Sequence, residues 1–290
     1  MKSRILIGTS ANVRYAIADT TNLSIEAINV NKNSKILCTS ELALLNIAAL
    51  LSGNIKSENG KITLLLKADG ILGKAKARAR KDGRIIATNE IETDKLKELN
   101  ACTEFSDFAK MYKIGKGQLI IETDLGLKKP YYTTIDVNDD KDIEQAIQEY
   151  YLKSEQVDTI IKTGVKYDEN SDLIRSGAIF IQALPECKKE IFEKFKNKLK
   201  EIYGIQDLLV HDMSLEDISK LLFDNIEDYK NLEIRDLVFK CDCSYNYCLN
   251  LLKRIYTLDE IRDIIKKDGY VETVCGFCNA AYRIDNIGEI

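Results

Sequence analysis

The run Glu41-Leu-Ala-Leu-Leu-Asn-Ile-Ala-Ala-Leu-Leu-Ser52 is the most apolar stretch of the chain, interrupted between 42 and 51 only by Asn46. Thr39-Ser40 before it and Gly53 after it are typical helix boundaries, so the pattern predicts a helix that Gly53 ends in the left-handed conformation. A helix that is apolar on nearly all sides is buried on more than one side. We therefore expect this helix to lie between sheets. The apolar run 42–51 is far shorter than the ~20 residues that span a membrane, which predicts no membrane segment.

Strand-like segments surround this helix along the first part of the chain. Apolar and polar residues alternate in them, and turn residues such as Lys81-Asp82-Gly83 separate them, which is the pattern of antiparallel hairpins. A further helix is predicted over 140–156. Residues 1–185 therefore form an α+β domain of sheets packed on a buried helix. The predicted strands are 13–19, 61–68, 74–80, 84–88, 118–123, 131–137, 159–166 and 173–184.

Composition limits the classes of function that the chain can serve. Its 290 residues are 45% apolar, and 42 basic against 46 acidic residues give a net charge of −4 and a pI near 5.4. That sign is wrong for general nucleic-acid binding. The apolar run 5–7 is too short for a secretory signal, so we expect a cytoplasmic protein. In the cytosol its eight cysteines are expected to be reduced thiols or metal ligands.

The pattern of charged and apolar residues over 186–231 predicts an amphipathic helical linker. More than half of the positions between 186 and 204 are charged, and the apolar ones fall on one helical stripe. A second amphipathic helix follows, opened by the capping box Ser214-x-x-Asp217. Such helices are usually docked on the fold, but a segment that detaches and exposes its apolar face is also possible. The two stripes consist of Ile191, Phe192, Phe195, Leu199, Ile202 and Tyr203, and of Leu215, Ile218, Leu221 and Leu222.

Four cysteines lie in the last unit, residues 232–290. Cys241 and Cys243 form a C-x-C pair, and Cys275 and Cys278 form a C-x-x-C pair. Two tight pairs of thiolates can complete a tetrahedral shell around zinc, at Zn–S distances of about 2.3 Å. Loss of the metal and disulfide formation would be coupled, because each pair could close without long-range rearrangement. A purely structural zinc site is the commoner use of such a quartet.

The last unit is too small for comfortable independent stability. A unit of this length buries little apolar surface and usually needs a staple, meaning a disulfide or a bound metal ion that stabilises the fold. One clear helix is predicted, capped by Thr257-x-x-Glu260 and ended by Gly269, with Ile261, Ile264 and Ile265 facing inward. Structural zinc contributes roughly 10–16 kcal/mol in small cysteine-rich peptides. We therefore expect the unit to unfold when the metal is removed.

Other chemistries find little support, and we expect no enzyme. His211 is the only histidine and is predicted to be a solvated residue at a helix end. The segment from Gly70 to Gly73 lacks the spacing of a phosphate loop and is predicted to be a turn. A zinc ribbon for RNA has the wrong charge, because 240–290 holds seven basic and eight acidic residues. Cys248 is predicted to be a half-buried helical thiol, and Cys38, Cys102 and Cys187 to be ordinary thiols.

The chain resembles one family, the thirty-three-kilodalton chaperonins, which are redox-regulated heat-shock holdases. The likeness spans nearly the whole chain. Its zinc motif is matched by Phe239-Lys240-Cys241-Asp242-Cys243-Ser244 and Cys275-Gly276-Phe277-Cys278, and its C-terminal ending by Ile287-Gly288-Glu289-Ile290. Two segments of the N-terminal domain are also similar to the family, Tyr151-Leu152-Lys153-Ser154-Glu155-Gln156 and Lys67-Ala68-Asp69-Gly70.

The resemblance implies a mechanism. Cys241, Cys243, Cys275 and Cys278 would hold zinc in a reduced, inactive chain, and oxidation would pair Cys241 with Cys243 and Cys275 with Cys278. The C-terminal unit and the linker would then unfold, and the protein would dimerise and bind unfolding clients without ATP. Domain 1–185 would carry client binding and dimerisation. Candidate client-binding residues are Phe192, Phe195, Leu199 and Ile202, together with the surface that they cover.

Two other functions remain open from the sequence. A constitutive zinc-stabilised binding module would only be inactivated by oxidation. A thiol-disulfide oxidoreductase would reduce insulin in a Cys275-dependent reaction and would need a helix directly after that cysteine. Neither alternative requires nucleic acid or a membrane.

Overall fold

The computed structural model describes residues 2–31, 38–101, 113–126, 129–202, 204–223 and 228–286. Cys102, Tyr203 and the ending 287–290 lie outside the described residues. The chain divides into two compact units, Met1–Phe239 and Lys240–Ile290. The sequence predicted a boundary at Leu232, but the segment that follows is a strand of the larger unit.

The larger unit is built on one ten-stranded sheet in the described residues. Neighbouring strands are antiparallel except β5 and β10, which run parallel. All eight predicted strands are present, whereas β1 and β10 were not predicted. The spatial order is β7-β6-β3-β4-β5-β10-β1-β2-β9-β8. The strands are β1 Ser3–Ser10, β2 Val13–Asp19, β3 Lys61–Ala68, β4 Lys74–Arg80, β5 Arg84–Asn89, β6 Gly117–Asp124, β7 Tyr131–Val137, β8 Thr159–Tyr167, β9 Leu173–Ala183 and β10 Lys230–Phe239.

The predicted apolar helix is the centre of the main core. Helix α2, Thr39–Ser52, packs against β3, β4 and β5 and also against β2, β8 and β9, so strands from both halves of the sheet cover it. A single sheet takes the place of the separate sheets that the sequence suggested. The buried Asn46 is hydrogen-bonded, its amide donating to Ser176 Oγ at 3.2 Å, as a buried polar group requires. The other described helices before residue 185 are α1 Thr21–Asn31, α3 Thr93–Asn100 and α4 Ile143–Ser154.

Gly53 does not end this helix in the left-handed conformation, so that prediction was wrong. Its φ of −61° and ψ of −23° are right-handed. Its N–H donates to Leu50 O at 3.1 Å, and Asn54 N–H donates to Leu51 O at 3.0 Å. The last turn therefore tightens through i→i−3 bonds, which satisfy the terminal carbonyls without a left-handed residue. A Cβ at position 53 would lie 3.2 Å from the Ile7 side chain, so close packing favours glycine there.

A second apolar core lies under the helices of the predicted linker. They are α5 Lys189–Glu201, α6 Ile205–Val210 and α7 Leu215–Phe223. Phe192, Phe195 and Leu199 are buried, and Ile202 is partly buried just after α5. Leu221 is 47% exposed, so its predicted place on the apolar face of α7 was wrong. The strand residues in this core include Leu6, Val13, Tyr15, Ile17, Ile160, Ile179 and Ile181.

The smaller unit has one helix more than the sequence predicted. Its described elements are α8 Tyr245–Ile255, α9 Leu258–Asp268, β11 Val271–Val274 and β12 Ala281–Ile284. Helix α9 has the predicted capping box and ends at Gly269 with a left-handed φ of 84°. The buried apolar cluster of the smaller unit contains Leu252, Ile261, Val271 and Ile284. So small a core agrees with the expectation that the unit needs a staple.

Candidate metal centre

Two loops of the smaller unit bring its cysteine pairs together. Cys241 and Cys243 lie in the segment before α8, whose first turn is capped by Ser244 Oγ accepting from Tyr247 N–H at 3.2 Å. Cys275 and Cys278 lie in the turn between β11 and β12. Val274 and Ala281 are paired across that hairpin, so its closed end fixes the second cysteine pair.

The four Sγ atoms form a cluster of the size that a metal ion needs. All lie within 4.8 Å of one another. Cys241 Sγ lies 3.6 Å from Cys275 Sγ, and Cys243 Sγ lies 3.4 Å from Cys278 Sγ. A disulfide would require about 2.0 Å, whereas four sulfurs at about 2.3 Å from one ion lie roughly 3.8 Å apart. The cluster therefore fits a tetrahedral metal ion and has the donor set that zinc accepts.

Backbone hydrogen bonds shape the turn that carries Cys275 and Cys278. Phe277 N–H donates to Cys275 Sγ at 3.5 Å, while Cys275 N–H donates to Ala280 O at 2.9 Å. Asn279 N–H donates to Cys275 O at 3.0 Å, and Asn279 adopts a left-handed φ of 57°, a conformation that asparagine tolerates well. The turn thus aims an amide N–H at a sulfur, which stabilises its thiolate form.

A tyrosine completes the surroundings of the cluster. Tyr282 Oη lies 3.1 Å from Cys243 Sγ. Tyr282 was not among the predicted site residues, although its place four positions after Cys278 and two before the buried Ile284 gave a signal. Alternate residues of a strand share a face, so an inward Ile284 predicts an inward Tyr282.

The environment of the thiols sets their pKa values in opposite directions. Burial raises the pKa of Cys241 and raises that of Cys278 to about 11. Burial also acts on Cys275, but hydrogen bonds from the backbone of Cys278 and Phe277 and from neighbouring thiols outweigh it and lower its pKa. A bound dication favours the thiolate at every ligand. Without such a charge, burial favours the neutral thiol at Cys241 and Cys278.

The remaining residues singled out in the sequence are not members of the four-cysteine cluster. Cys248 is on α8 and is buried rather than half-buried. Burial raises the pKa of the Cys38 thiol to about 12, and Cys187 is partly buried. His211 is an exposed residue directly after α6, as predicted. Cys275 begins a turn, not a helix, so the structural requirement for an oxidoreductase is absent there.

Comparison with known proteins gives the family. The model of the family described as Hsp33 protein matches residues 4–285. The chain belongs to the Hsp33 family. Among its curated relatives, a 33 kDa chaperonin of Prochlorococcus marinus (strain MIT 9312) is 30% identical, over 98% of this chain and 97% of the relative. The 33 kDa chaperonin of Caldanaerobacter subterraneus subsp. tengcongensis is 29% identical, over 83% of this chain and 80% of the relative.

A solved structure shares the fold of this Hsp33-family chain. It is the 33 kDa chaperonin of Thermotoga maritima, which matches with a TM-score of 0.77 at 22% identity and covers 98% of this chain and 96% of its own. The mixed α+β fold with its C-terminal cysteine cluster is therefore confirmed. Of the helices in the described residues, none has the length and apolar character to cross a membrane.

Proposed function

We propose that this protein is a redox-regulated, ATP-independent holdase that binds unfolding proteins under oxidative stress. The observation that carries the proposal is the clustering of Cys241, Cys243, Cys275 and Cys278 within 4.8 Å in a unit with a very small apolar core. Membership of a family whose relatives are called chaperonins supports client binding as the activity. The reduced chain with zinc on the four cysteines is the inactive form.

Zinc is the proposed metal because an all-thiolate tetrahedral shell suits it. When bound, it supplies the folding energy that the smaller unit lacks. That energy is roughly 10–16 kcal/mol in zinc-finger peptides, against a stability of about 5–15 kcal/mol for a whole domain. The four cysteine ligands come from the segment before α8 and from the β11–β12 turn. The same four metal–sulfur bonds would therefore hold both ends of the unit in place.

Oxidation of the cysteine thiolates to disulfides removes the ligands that hold the metal, and with them the folding energy that the metal supplies. A thiolate attacks hydrogen peroxide, the O–O bond breaks, and hydroxide leaves as the sulfur becomes a sulfenic acid. The second thiolate of the pair then attacks that sulfur, hydroxide leaves again, and a disulfide forms. Two electrons pass from each pair to one peroxide. Disulfides of Cys241 with Cys243 and of Cys275 with Cys278 are no longer zinc ligands, so the unit loses its staple and unfolds.

The apolar face used for clients is the second core of the larger unit. Helices α5, α6 and α7 cover it, and Phe192, Phe195 and Leu199 are buried in it. In the proposed active state this layer detaches, which exposes those residues, Ile202 and the strand face beneath them. Such a patch is larger than a resting monomer normally exposes. It would bind unfolding clients and a second copy of the chain, giving a cytoplasmic homodimer without catalytic activity.

The test compares reduced and peroxide-treated protein. Light scattering of a heat-denatured client measures protection, and a chromogenic chelator measures released zinc. We expect protection only after oxidation, together with zinc release and a larger molecular mass. Equal protection in both states with zinc retained would contradict the switch. Loss of protection on oxidation would instead favour a constitutive zinc-stabilised binding module.

A further inference from the structure

The sulfur atoms of the quartet receive hydrogen bonds of two kinds. Cys275 Sγ accepts from the backbone N–H of Phe277 at 3.5 Å. The Tyr282 hydroxyl lies 3.1 Å from Cys243 Sγ. A metal-bound thiolate carries no proton, so the hydroxyl is the donor of that contact. The bond to Cys243 therefore comes from a side chain, which a single substitution can remove.

The hairpin holds Tyr282 in place independently of this bond. Tyr282 is paired with Thr273 across β11 and β12, and Ile284, two residues on, is fully buried in the core of the unit. Arg283 points the other way, where its guanidinium donates to Glu272 Oε2 at 3.1 Å and lies 4.7 Å from the centre of the Tyr270 ring. The register of β12 thus presents the Tyr282 hydroxyl to Cys243.

We propose that Tyr282 is a positioning residue that retains Cys243 in the metal shell and slows its oxidation. A hydrogen bond to a thiolate withdraws electron density from the sulfur and occupies a lone pair, and that lone pair is what attacks peroxide. Hydrogen-bond partners of metal ligands commonly change metal affinity by 10–100-fold when they are removed. Tyr282 therefore sets how readily the quartet responds to oxidant. This inference rests on the proposed function, because it takes the quartet as a zinc site.

The test uses Tyr282→Phe in the full-length chain, with Tyr245→Phe as the matched control. Tyr245 belongs to the same unit, but its hydroxyl donates to Asn286 O at 3.1 Å and not to sulfur. Zinc transfer to a chromogenic chelator and peroxide-driven zinc release are measured on zinc-loaded, reduced proteins. We expect about tenfold weaker zinc binding and about tenfold faster release for Y282F. Y245F should match the wild type.

Two further readouts separate positioning from mere packing. In cobalt-substituted protein, Y282F should shift the thiolate-to-cobalt absorption band, which reports the electron density on sulfur, whereas Y245F should not. At limiting peroxide, trapping of sulfenic acids followed by mass spectrometry should label Cys243 more in Y282F than in the wild type, with Cys241 unchanged. The wild type alone also tests the idea, since Cys243 should not be the first of its ligands to be labelled.

The outcomes distinguish this inference from the proposed function. If the reduced wild type binds no zinc, the proposed function fails. If it binds zinc but Y282F has wild-type zinc affinity and release rates, only the role of Tyr282 is overturned. The role is also overturned if the wild type is oxidised first at Cys243, or if zinc-loaded Y282F unfolds at a lower temperature with an unshifted cobalt band.

Discussion

Cys241 Sγ and Cys275 Sγ lie 3.6 Å apart although 34 positions separate them in the chain. The contact joins the start of the smaller unit to its C-terminal hairpin and closes a loop that contains α8 and α9. A metal bond at this point offsets the entropy of loop closure and adds its own ligand bonds. The small apolar cluster of this unit supplies little by comparison, so we expect the stability of the unit to depend on the quartet.

Cys278→Ser is expected to abolish zinc binding. A serine hydroxyl is a poor ligand for a site built from thiolates, and Cys278 Sγ lies 3.4 Å from Cys243 Sγ. Three remaining thiolates cannot supply the roughly 10–16 kcal/mol of a complete structural site, so the unit should be unfolded at room temperature. Metal analysis and far-ultraviolet circular dichroism measure the two effects. Cys187→Ser is the control, because Cys187 lies in the larger unit. A C278S chain with wild-type zinc content and helicity would contradict this prediction.

Chelation of the reduced chain should unfold the smaller unit and leave the main sheet intact. The main core contains α2 and the strands around it, and its described residues all belong to the larger unit. Limited proteolysis after metal removal is therefore expected to cut within 240–286 and to leave a fragment that contains β1 to β10. Addition of zinc should restore resistance. Cleavage within β3 or β4 at the same rate would show that the sheet also depends on the metal.

The sequence predicted the elements whose pattern is local. Strand β4 alternates alanine with lysine or arginine from Lys74 to Arg80, and each alanine is buried. Strand β10 was missed because most of its residues are exposed and its place depends on pairing with β1, at the opposite end of the larger unit's sequence. Helix α1 was missed because its sequence, rich in asparagine and isoleucine, has weak helix propensity. Tertiary contacts decide both elements.

The candidate site shows the same division. The spacing of the cysteines predicted a common metal shell, and the structure brings their Sγ atoms together. The pairing of close sulfurs across the two motifs, Cys241 with Cys275 and Cys243 with Cys278, depends on how the β11–β12 hairpin lies against the start of α8. Spacing within each motif carries no information on that arrangement.

Two glutamates of α4 are expected to respond to pH in opposite ways. Burial raises the pKa of Glu144, although the Thr163 hydroxyl donates to its carboxylate. A carboxyl with a raised folded pKa stabilises the fold below its unfolded pKa, and this stability is lost as the pH rises through the folded pKa. Glu144→Gln should therefore raise the urea midpoint at pH 7 and change it little below about pH 4.

Glu149 provides the contrasting case on the same helix. Hydrogen bonds from the ammonium groups of Lys141 and Lys153 lower the pKa of Glu149 to about 2. The stabilisation of the fold by the Glu149 carboxylate is present above the ordinary glutamate pKa and is lost as the pH falls toward 2. Glu149→Gln should lower the urea midpoint only slightly at pH 7, since a surface ion pair contributes little to stability. In acid the decrease in the midpoint should be smaller still. Midpoints that move in the same direction for both variants at pH 7 would contradict the assigned environments.

Phe195→Ala is expected to activate the reduced protein in part. Phe195 is fully buried on α5, and its ring centre lies 5.0 Å from that of Phe223 on α7. Truncation of a buried phenylalanine costs about 3–5 kcal/mol, and here the loss falls on the contact between two helices of the covering layer. The layer should then open more often while zinc stays bound. Client aggregation in the presence of reduced F195A should fall below that seen with reduced wild type.

Leu221→Ala is the matched control for this variant. Leu221 belongs to α7, but 47% of it is exposed, so its truncation creates no cavity and should leave the reduced protein inactive. Hydrogen exchange of α5 and α7 shows whether the layer has opened in each variant, and zinc analysis shows that the quartet is still loaded. F195A that exchanges rapidly in α5 and α7 but gives no protection would show that client binding needs the Phe195 side chain itself or lies elsewhere. Protection by F195A with zinc retained is the expected outcome. It would show that exposure of the sheet face suffices for client binding without oxidation of the cysteines.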